Sequence, residues 1–557
     1  MKRVLVGLLA LTALAAGSLP AGAQKVKPAY TAAAVKQAPL RTSAGTITAA
    51  QLKDYLSFVA SDEMEGRATP SRGLDTTARF LATMLSRAGV KPGGDAGSFF
   101  QRIALTKETL APAGGVFELN GRPFVYAKDF LLASAGGSAS GSLVFAGDGW
   151  FIKSKGIDAY DGIDPKGKVV VVTQGGMPKG VTFADLQSGK RGEDWIDPSA
   201  YAQKRGAVGI IALPPLTTLA DPDRFEAMRK SAEAGAFRVE KLPGNAQAQL
   251  PTAIVTLKTA RALFLKEKSD ADTIMQSFPS GTPVKPFALS SDKKVRFEAQ
   301  TTVQRAATQN VVGIIEGSDP ALKHEYVALG AHYDHSGTLS GGTDTVMNGA
   351  DDDGTGSVAL LAMAEALHRA PRRPKRSVLL VWHAGEEMGL WGARYFTAFP
   401  TVPIDKIVAQ LNIDMIGRSK AAGDANPRNK DLSGPNEVYV IGSRMMSTEL
   451  GSLTEAVNGA YLKLSFNYKY DDPEDPERFF YRSDHIEYAR KGIPIVFYMT
   501  GVHADYHRPS DEVSTIDFEK FERVTRTIYA TLWEIGEMKA RPKVDKALPP
   551  EAMRDIF

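Results

Sequence analysis

The stretch Val378-Leu379-Leu380-Val381-Trp382-His383-Ala384-Gly385-Glu386-Glu387 changes character halfway: five apolar residues give way to a histidine, two small residues and two carboxylates. An unbroken apolar run of this length is too short for a helix and predicts a strand buried on both faces. Tyr326 to Leu329, Ile407 to Ile413, Val438 to Ile441 and Ile493 to Tyr498 read the same way. Helical patterns separate them, the clearest being Ser357 to Arg369. A last one, Phe518 to Met538, sets Phe518, Phe521, Thr525, Ile528, Leu532 and Ile535 at helical spacing as a core face. Strand alternating with helix predicts an α/β fold on a mixed or largely parallel central sheet flanked by helices.

Working outward, Thr48 to Val59 and Leu74 to Ala88 also read as helices, and Thr48 with Gln51 has capping-box spacing. From about 135 to 260 the texture becomes short strands and turns: Ser142 to Phe145, Lys168 to Thr173, Val208 to Leu213 and Pro251 to Thr256, with a helix-like stretch from Ala200 to Lys204. That block holds no histidine, which predicts a module outside the chemistry. The expected division is a signal segment (1–23), a linker (24–45), the N-terminal part of the main domain (46–134), an insert (135–260), the rest of the main domain (261–540) and a tail (541–557).

A chain of 557 residues is long enough for two or three domains. Apolar residues make up 43% and charged residues 23%, the balance of an ordinary globular protein. A net charge of +4 with no basic run interleaved with aromatics argues against nucleic-acid binding. Lys2 and Arg3 precede the apolar run Val4 to Ala16, and Ala21-Gly22-Ala23 has the small-x-small pattern of a signal-peptidase site. The run is shorter than the ~20 residues a membrane span needs. The expectation is cleavage after Ala23 and a periplasmic or secreted protein with no stable membrane insertion. There is no cysteine, which excludes disulfides and thiolate chemistry and leaves His, Asp and Glu as metal ligands.

All eight histidines lie between His324 and His507, among five polar clusters. His332 ends a predicted strand, where ligands of open α/β sheets gather, and Asp334 is placed to accept its other ring N–H. Alone, the pair is equally a strand-end histidine bonded to a turn. Asp351-Asp352-Asp353 sits between glycines ahead of an apolar helix. Three adjacent carboxylates need a cation or backbone N–H groups, so the alternative is a capping loop. Glu386 and Glu387 at a strand end suit a division of labour, one binding metal and its neighbour moving a proton, although two solvated glutamates opening a helix look the same. Asp414 ends a mainly apolar strand, where an unpaired carboxylate is costly; a salt-bridged core residue is the alternative. Asp505-Tyr506-His507 lies in a loop ahead of the final helix. Taken together, carboxylates and imidazoles at several strand ends are the donor set of a pair of divalent metals.

The series GAHYDH, GADDDGTG, HAGEEMG, LNIDMIG, YRSDH and DYHRPSDE resembles the M28 family of metallo-aminopeptidases, over most of the chain after about residue 295. Glu65-Gly66-Arg67 resembles the N-terminal part of secreted members, and residues 135–260 resemble the mainly-β protease-associated domain inserted in many of them. The resemblance implies a zinc-exopeptidase-like fold and two Zn2+ per chain. His332 and Asp414 would complete one site, Glu387 and His507 the other, with Asp352 bridging both. Glu386 would be general base and then general acid beside a metal-bridged hydroxide. Tyr506 stands where some members place an oxyanion-steadying tyrosine. The implied substrates are peptides with a free N-terminus. A carboxypeptidase, dipeptidase or other amidohydrolase on the same site is the nearest alternative, with the loops Ala421 to Pro435 and Tyr470 to Tyr481 setting specificity. A non-catalytic binding protein is disfavoured because every ligand position is kept, and a serine hydrolase because no G-x-S-x-G elbow exists.

Overall fold

The computed structural model describes residues 43–549 apart from 134–135, 175, 183–184, 187–188, 243–249, 281–283 and 473–474, together with Tyr30, Thr31, Val35 and Ala552. The expected signal segment and most of the expected linker lie outside the described residues.

The strands of the main sheet used below are β1 (Phe100–Leu119), β2 (Val295–Ile315), β3 (Tyr326–His332), β4 (Ser377–His383), β5 (Ile407–Ile413), β6 (Glu437–Ile441), β7 (Ser465–Asn467) and β8 (Ile495–Met499). They stand in the order β1-β2-β4-β3-β5-β8-β6-β7. The centre, β4-β3-β5-β8, is parallel, and β2 and β6 flank it antiparallel. The sheet is therefore mixed, with its parallel strands buried as their apolar runs require.

Alternate residues of those runs serve two cores. Val327, Leu329 and Ala331 of β3 and Val378, Leu380 and Trp382 of β4 face one side, while Ala328, Leu379 and Val381 face the other. On the first side pack the helices α1 (Ala49–Val59), α2 (Arg72–Arg87), α3 (Gly356–Arg369), α5 (Thr448–Ala460) and α6 (Phe518–Glu537); on the second packs α4 (Trp391–Ala398). Helix α1 starts where its capping residue predicts, Thr48 accepting the Gln51 N–H. Helix α2 starts two residues before Leu74, capped by Ser71. Its first turn carries Arg72 and Gly73, so the apolar period does not mark it.

β1 and β2, separated in the chain by a second structural unit, form a long antiparallel ribbon, an open hairpin with no counterpart in the sequence reading. It runs in register from Phe100 opposite Val311 to Leu119 opposite Val295, with one irregularity between Ala299 and Thr301. Its middle, around Gln304 and Arg305, is exposed, so no apolar run signals a strand there. At its far end Val295 to Ala299 also pair with Gly137–Gly141, joining the main sheet to a second structural unit.

That unit is built on a six-stranded sheet, with Leu143–Phe145, Val169–Thr173, Gly209–Leu213 and Thr252–Val255 parallel at its centre. Phe130–Leu132 and Phe287–Ala288 form its antiparallel edges, so the sheet extends beyond residues 135–260 on both sides. Helices Leu257–Leu263 and Ala271–Ser280 pack on the same core. Edge strands of two or three residues show no period, which is why the sequence draws the boundary inside them. Among the described residues, no helix is long and apolar enough to cross a membrane.

Candidate metal centre

The polar residues singled out from the sequence gather at the carboxyl ends of the parallel strands, where open α/β sheets place their sites. His332 is the last residue of β3, Glu386 and Glu387 follow β4, Asp414 follows β5, and His507 lies in the loop between β8 and α6. Asp352 comes from the turn that opens α3.

Two clusters share one aspartate. His332 Nε2 lies 3.3 Å from Asp352 Oδ1 and 3.7 Å from Asp414 Oδ1. On the other side His507 Nε2 lies 3.2 Å from both Asp352 Oδ2 and Glu387 Oε2. Glu386 sits alongside, its Oε2 4.0 Å from His332 Nε2. Of the three consecutive aspartates only Asp352 faces both clusters. Asp351 accepts the Gly417 N–H at 2.7 Å, and Asp353 accepts those of Gly356 at 2.8 Å and Met415 at 3.2 Å. Asp511 in turn accepts the N–H groups of Asp351 and Asp352. The flanking aspartates thus use backbone donors to hold the loop, and the middle one is left to look inward.

The shell differs from the expectation at Asp334. The His332 Nδ1 bonds at 3.2 Å to the Asp334 backbone carbonyl, with the carboxylate further off at 3.7 Å. A carbonyl only accepts, so Nδ1 carries a proton, and Nε2 is the ring nitrogen turned toward the carboxylates of Asp352 and Asp414. The Asp334 carboxylate accepts the Glu386 N–H at 3.1 Å instead, fixing the loop that carries the two glutamates.

Four residues join the site without having been assigned a part in it. His335, in the same GAHYDH run, is fully buried with Nδ1 2.8 Å from Glu387 Oε1 and 3.7 Å from Asp352 Oδ2. Its signal was in the sequence, but the strand ends three residues earlier and only tertiary folding turns the ring inward. Ser483 of YRSDH donates to Asp414 Oδ2 at 2.7 Å and accepts from the Asn412 amide at 2.9 Å. Asp511 has been described above. Arg67, fully buried, donates to the carbonyls of Tyr333, Asn348 and Gly349 and so ties the His332 loop to the Asp352 loop. His383, given no role from sequence, is buried away from the clusters with Nδ1 3.1 Å from Asp484 Oδ2 and Nε2 3.0 Å from the Tyr488 hydroxyl.

Burial works on every group here. It raises the Glu386 pKa, and Asp414, Glu387 and Asp484 push the same way, so the net shift is far upward despite His332. Burial also favours the neutral form of Asp352, but the neighbouring imidazoles of His332, His507 and His335 overcome it and hold that carboxyl well below its usual range. His507 moves up to about 10: burial lowers it, and Asp352 and Glu387 raise it more. Tyr506, stacked on His507 with ring centroids 3.9 Å apart, is pushed upward by burial and by Asp352, and so keeps its proton.

These residues fit a divalent cation pair. Asp352 Oδ2, Glu387 Oε1 and both ring nitrogens of His335 are buried and make no hydrogen bond among the described residues. No lysine or arginine there pairs with Asp352, Glu386, Glu387 or Asp414, so cations are what would offset the carboxylates. Imidazole nitrogens and carboxylate oxygens without sulfur are donors suited to zinc.

A mixed α/β sheet carrying two linked His/carboxylate clusters at its carboxyl edge defines a metallohydrolase-type architecture. Residues 310–532, which run from the end of β2 through most of α6, match the model of peptidase family M28. A probable zinc metalloprotease of Leptosphaeria maculans is 26% identical over 295 residues, 46% of this chain and 66% of that protein. Aminopeptidase YwaD of Bacillus subtilis is 23% identical over 280 residues, 48% of this chain and 54% of that one. The matches to the first three curated relatives span 59% to 66% of those proteins' lengths. Among solved structures, an aminopeptidase from Aneurinibacillus sp. strain AM-1 has the same fold, with a TM-score of 0.50 at 14% identity over 92% of this chain and 100% of that one.

Proposed function

We propose that this protein is an exported dizinc aminopeptidase that removes residues from the free N-terminus of peptides. The observation that carries this reading is the position of Asp352, whose two oxygens face different imidazoles, Oδ1 toward His332 and Oδ2 toward His507. His332 and Asp414 would hold one zinc, Glu387 and His507 the other, with Asp352 shared. Bound there, the metals supply Lewis acidity, bringing the pKa of a water toward ~7 and polarising the scissile carbonyl.

The chain's own groups divide the remaining work. Glu386 is buried, close to His332 and held to Asp334 through its backbone, so its carboxylate is fixed where a proton must be moved. It takes the proton from the attacking water as the new C–O bond forms, then delivers it to the amine nitrogen as the C–N bond breaks. Tyr506 keeps its O–H and steadies the carbonyl oxygen as it gains charge. Lys2, Arg3, the apolar run to Ala16 and Ala21-Gly22-Ala23 support export.

Metal content measured with hydrolysis of amino-acyl anilides and their N-acetylated forms, before and after chelation, tests the reading. About two zinc per chain and chelator-sensitive cleavage of free-amine substrates alone is the expected outcome. Two zinc with cleavage only of blocked or carboxyl-terminal substrates would move the function to a carboxypeptidase or related amidohydrolase. No metal and no hydrolysis after reconstitution would leave a binding protein.

A further inference from the structure

Beside the metal centre lies a second cavity of about 380 Å3, a size suited to a small ligand. Phe479, Arg482, Val502 and Tyr506 line both it and the narrow pocket over Asp352, Glu386 and Asp414, so the two adjoin. Its walls come from the two loops expected to set specificity: Arg428, Lys430 and Asp431 from the first, Tyr470, Glu477 and Phe479 from the second. The loop after His507 adds Arg508.

The charges of this wall are unbalanced. Arg428, Arg482 and Arg508 make no ion pair among the described residues. Arg482 lies over Phe479, its guanidinium carbon 4.6 Å from the ring centroid, a contact that does not use its N–H donors. Of the two acids in the wall, Asp431 is already engaged by Lys469 at 2.6 Å and Lys430 at 3.8 Å, which leaves Glu477 against three arginines. A whole-chain charge of +4 does not by itself make every surface basic, so this concentration is local. Next to it the metal residues form a strongly carboxylate-rich floor. The metal-binding side chains and the arginines thus face one continuous space, the first at its inner end and the second farther out.

We infer that the arginine-lined cavity receives a carboxylate of the peptide, so that the preferred substrates are short peptides whose negative group reaches Arg428, Arg482 and Arg508. The inference deepens the peptidase reading above and rests on it. An arginine fork matches a carboxylate with two parallel N–H donors. The carboxylate has two sources, the C-terminus of a dipeptide or tripeptide and the side chain of an Asp or Glu near the cleaved bond.

Calorimetric binding to the zinc-loaded full-length Glu386→Gln chain separates them without depending on turnover. The probes are Leu-Gly, its C-terminal amide, and the amide-capped pair Leu-Gly-Glu and Leu-Gly-Gln. Leu-Gly should bind about tenfold tighter than its amide, with the ratio falling toward one in Arg428→Gln/Arg508→Gln and in Arg482→Gln. A preference for Glu over Gln that collapses in the same variants would also support the inference and assign the carboxylate to a side chain. Equal binding within both pairs, or a preference that survives all the arginine substitutions, would overturn it. Hydrolysis of a leucyl anilide, which has no carboxylate, is run in parallel on the unsubstituted enzyme. If that fails while the binding ratios hold, the aminopeptidase reading falls and the carboxylate site stands.

Discussion

Glu386 and Glu387 are neighbours in the chain but face different partners, because the loop turns one toward His332 and the other toward His335 and His507. Replacing Glu386 by Gln keeps the shape and would remove the proton acceptor of the proposed mechanism. We expect kcat to fall about a hundred- to ten-thousandfold with zinc content unchanged, read by steady-state kinetics beside metal analysis. Normal turnover in that variant would assign the base elsewhere. His335 tests a different point. Its ring is buried against Glu387 Oε1, so His335→Ala takes away the group that faces that oxygen. One of the two metals should be retained about ten- to hundredfold less well, measured by stoichiometry during titration with a chelator. Unaltered retention of both metals would reduce His335 to a packing residue.

At the scale of elements, the site depends on loops that are far apart in sequence and held by backbone contacts. Arg67 lies in the segment before α2, outside the region matched to the peptidase family, yet it donates to Val59, Tyr333, Asn348 and Gly349 carbonyls. Arg67→Met should destabilise the fold by about 3 kcal/mol or more, because buried carbonyls lose a charged donor. The denaturant midpoint measures this, and metal retention should fall with it; an unchanged midpoint would show that the loops are held by other means. The short helix after Ser483 carries a second sensitivity. His485 is buried, stacked on Phe497 with centroids 4.5 Å apart, and burial lowers its pKa from 6.5 to about 4. Its folded pKa is depressed, so between 6.5 and about 4 the unfolded chain takes up a proton that the folded chain refuses. Stability is therefore lost as pH falls through that window, by about 3 kcal/mol at its lower end. Denaturant midpoints of the parent chain and His485→Phe at pH 7 and pH 4.5 should diverge in favour of the variant at the acid end.

Across the whole molecule, the β1–β2 hairpin couples the peptidase sheet to the inserted unit. Phe117 and Phe297 stack where the hairpin enters that unit's core, with centroids 6.0 Å apart. Phe297→Ala should cost the insert about 3–5 kcal/mol and lower its unfolding temperature in calorimetry, while the metal centre keeps its zinc. Loss of metal in this variant would mean that the insert supports the site through the hairpin.

The strands β3, β4, β5 and β8 were legible in the sequence because burial on both faces demands an unbroken apolar run, and runs of this length are too short for a helix. The carboxylates and imidazoles at their ends were legible for the same reason: polar groups that follow such runs stand at the rim of the sheet. The hairpin was not legible, since its exposed middle obeys no apolar pattern, and neither were the two- and three-residue edges of the insert. Tertiary structure alone decided which aspartate of three turns inward, because Asp351 and Asp353 are held by backbone N–H groups from distant loops. It also brought Arg67 beneath the metal loops and His335 beside Glu387. The arginines around the outer cavity belong to the same class: they come from three separate loops, and only packing makes them neighbours. A sequence carries the local signals of burial and period; the meeting of side chains hundreds of residues apart is a property of the folded chain.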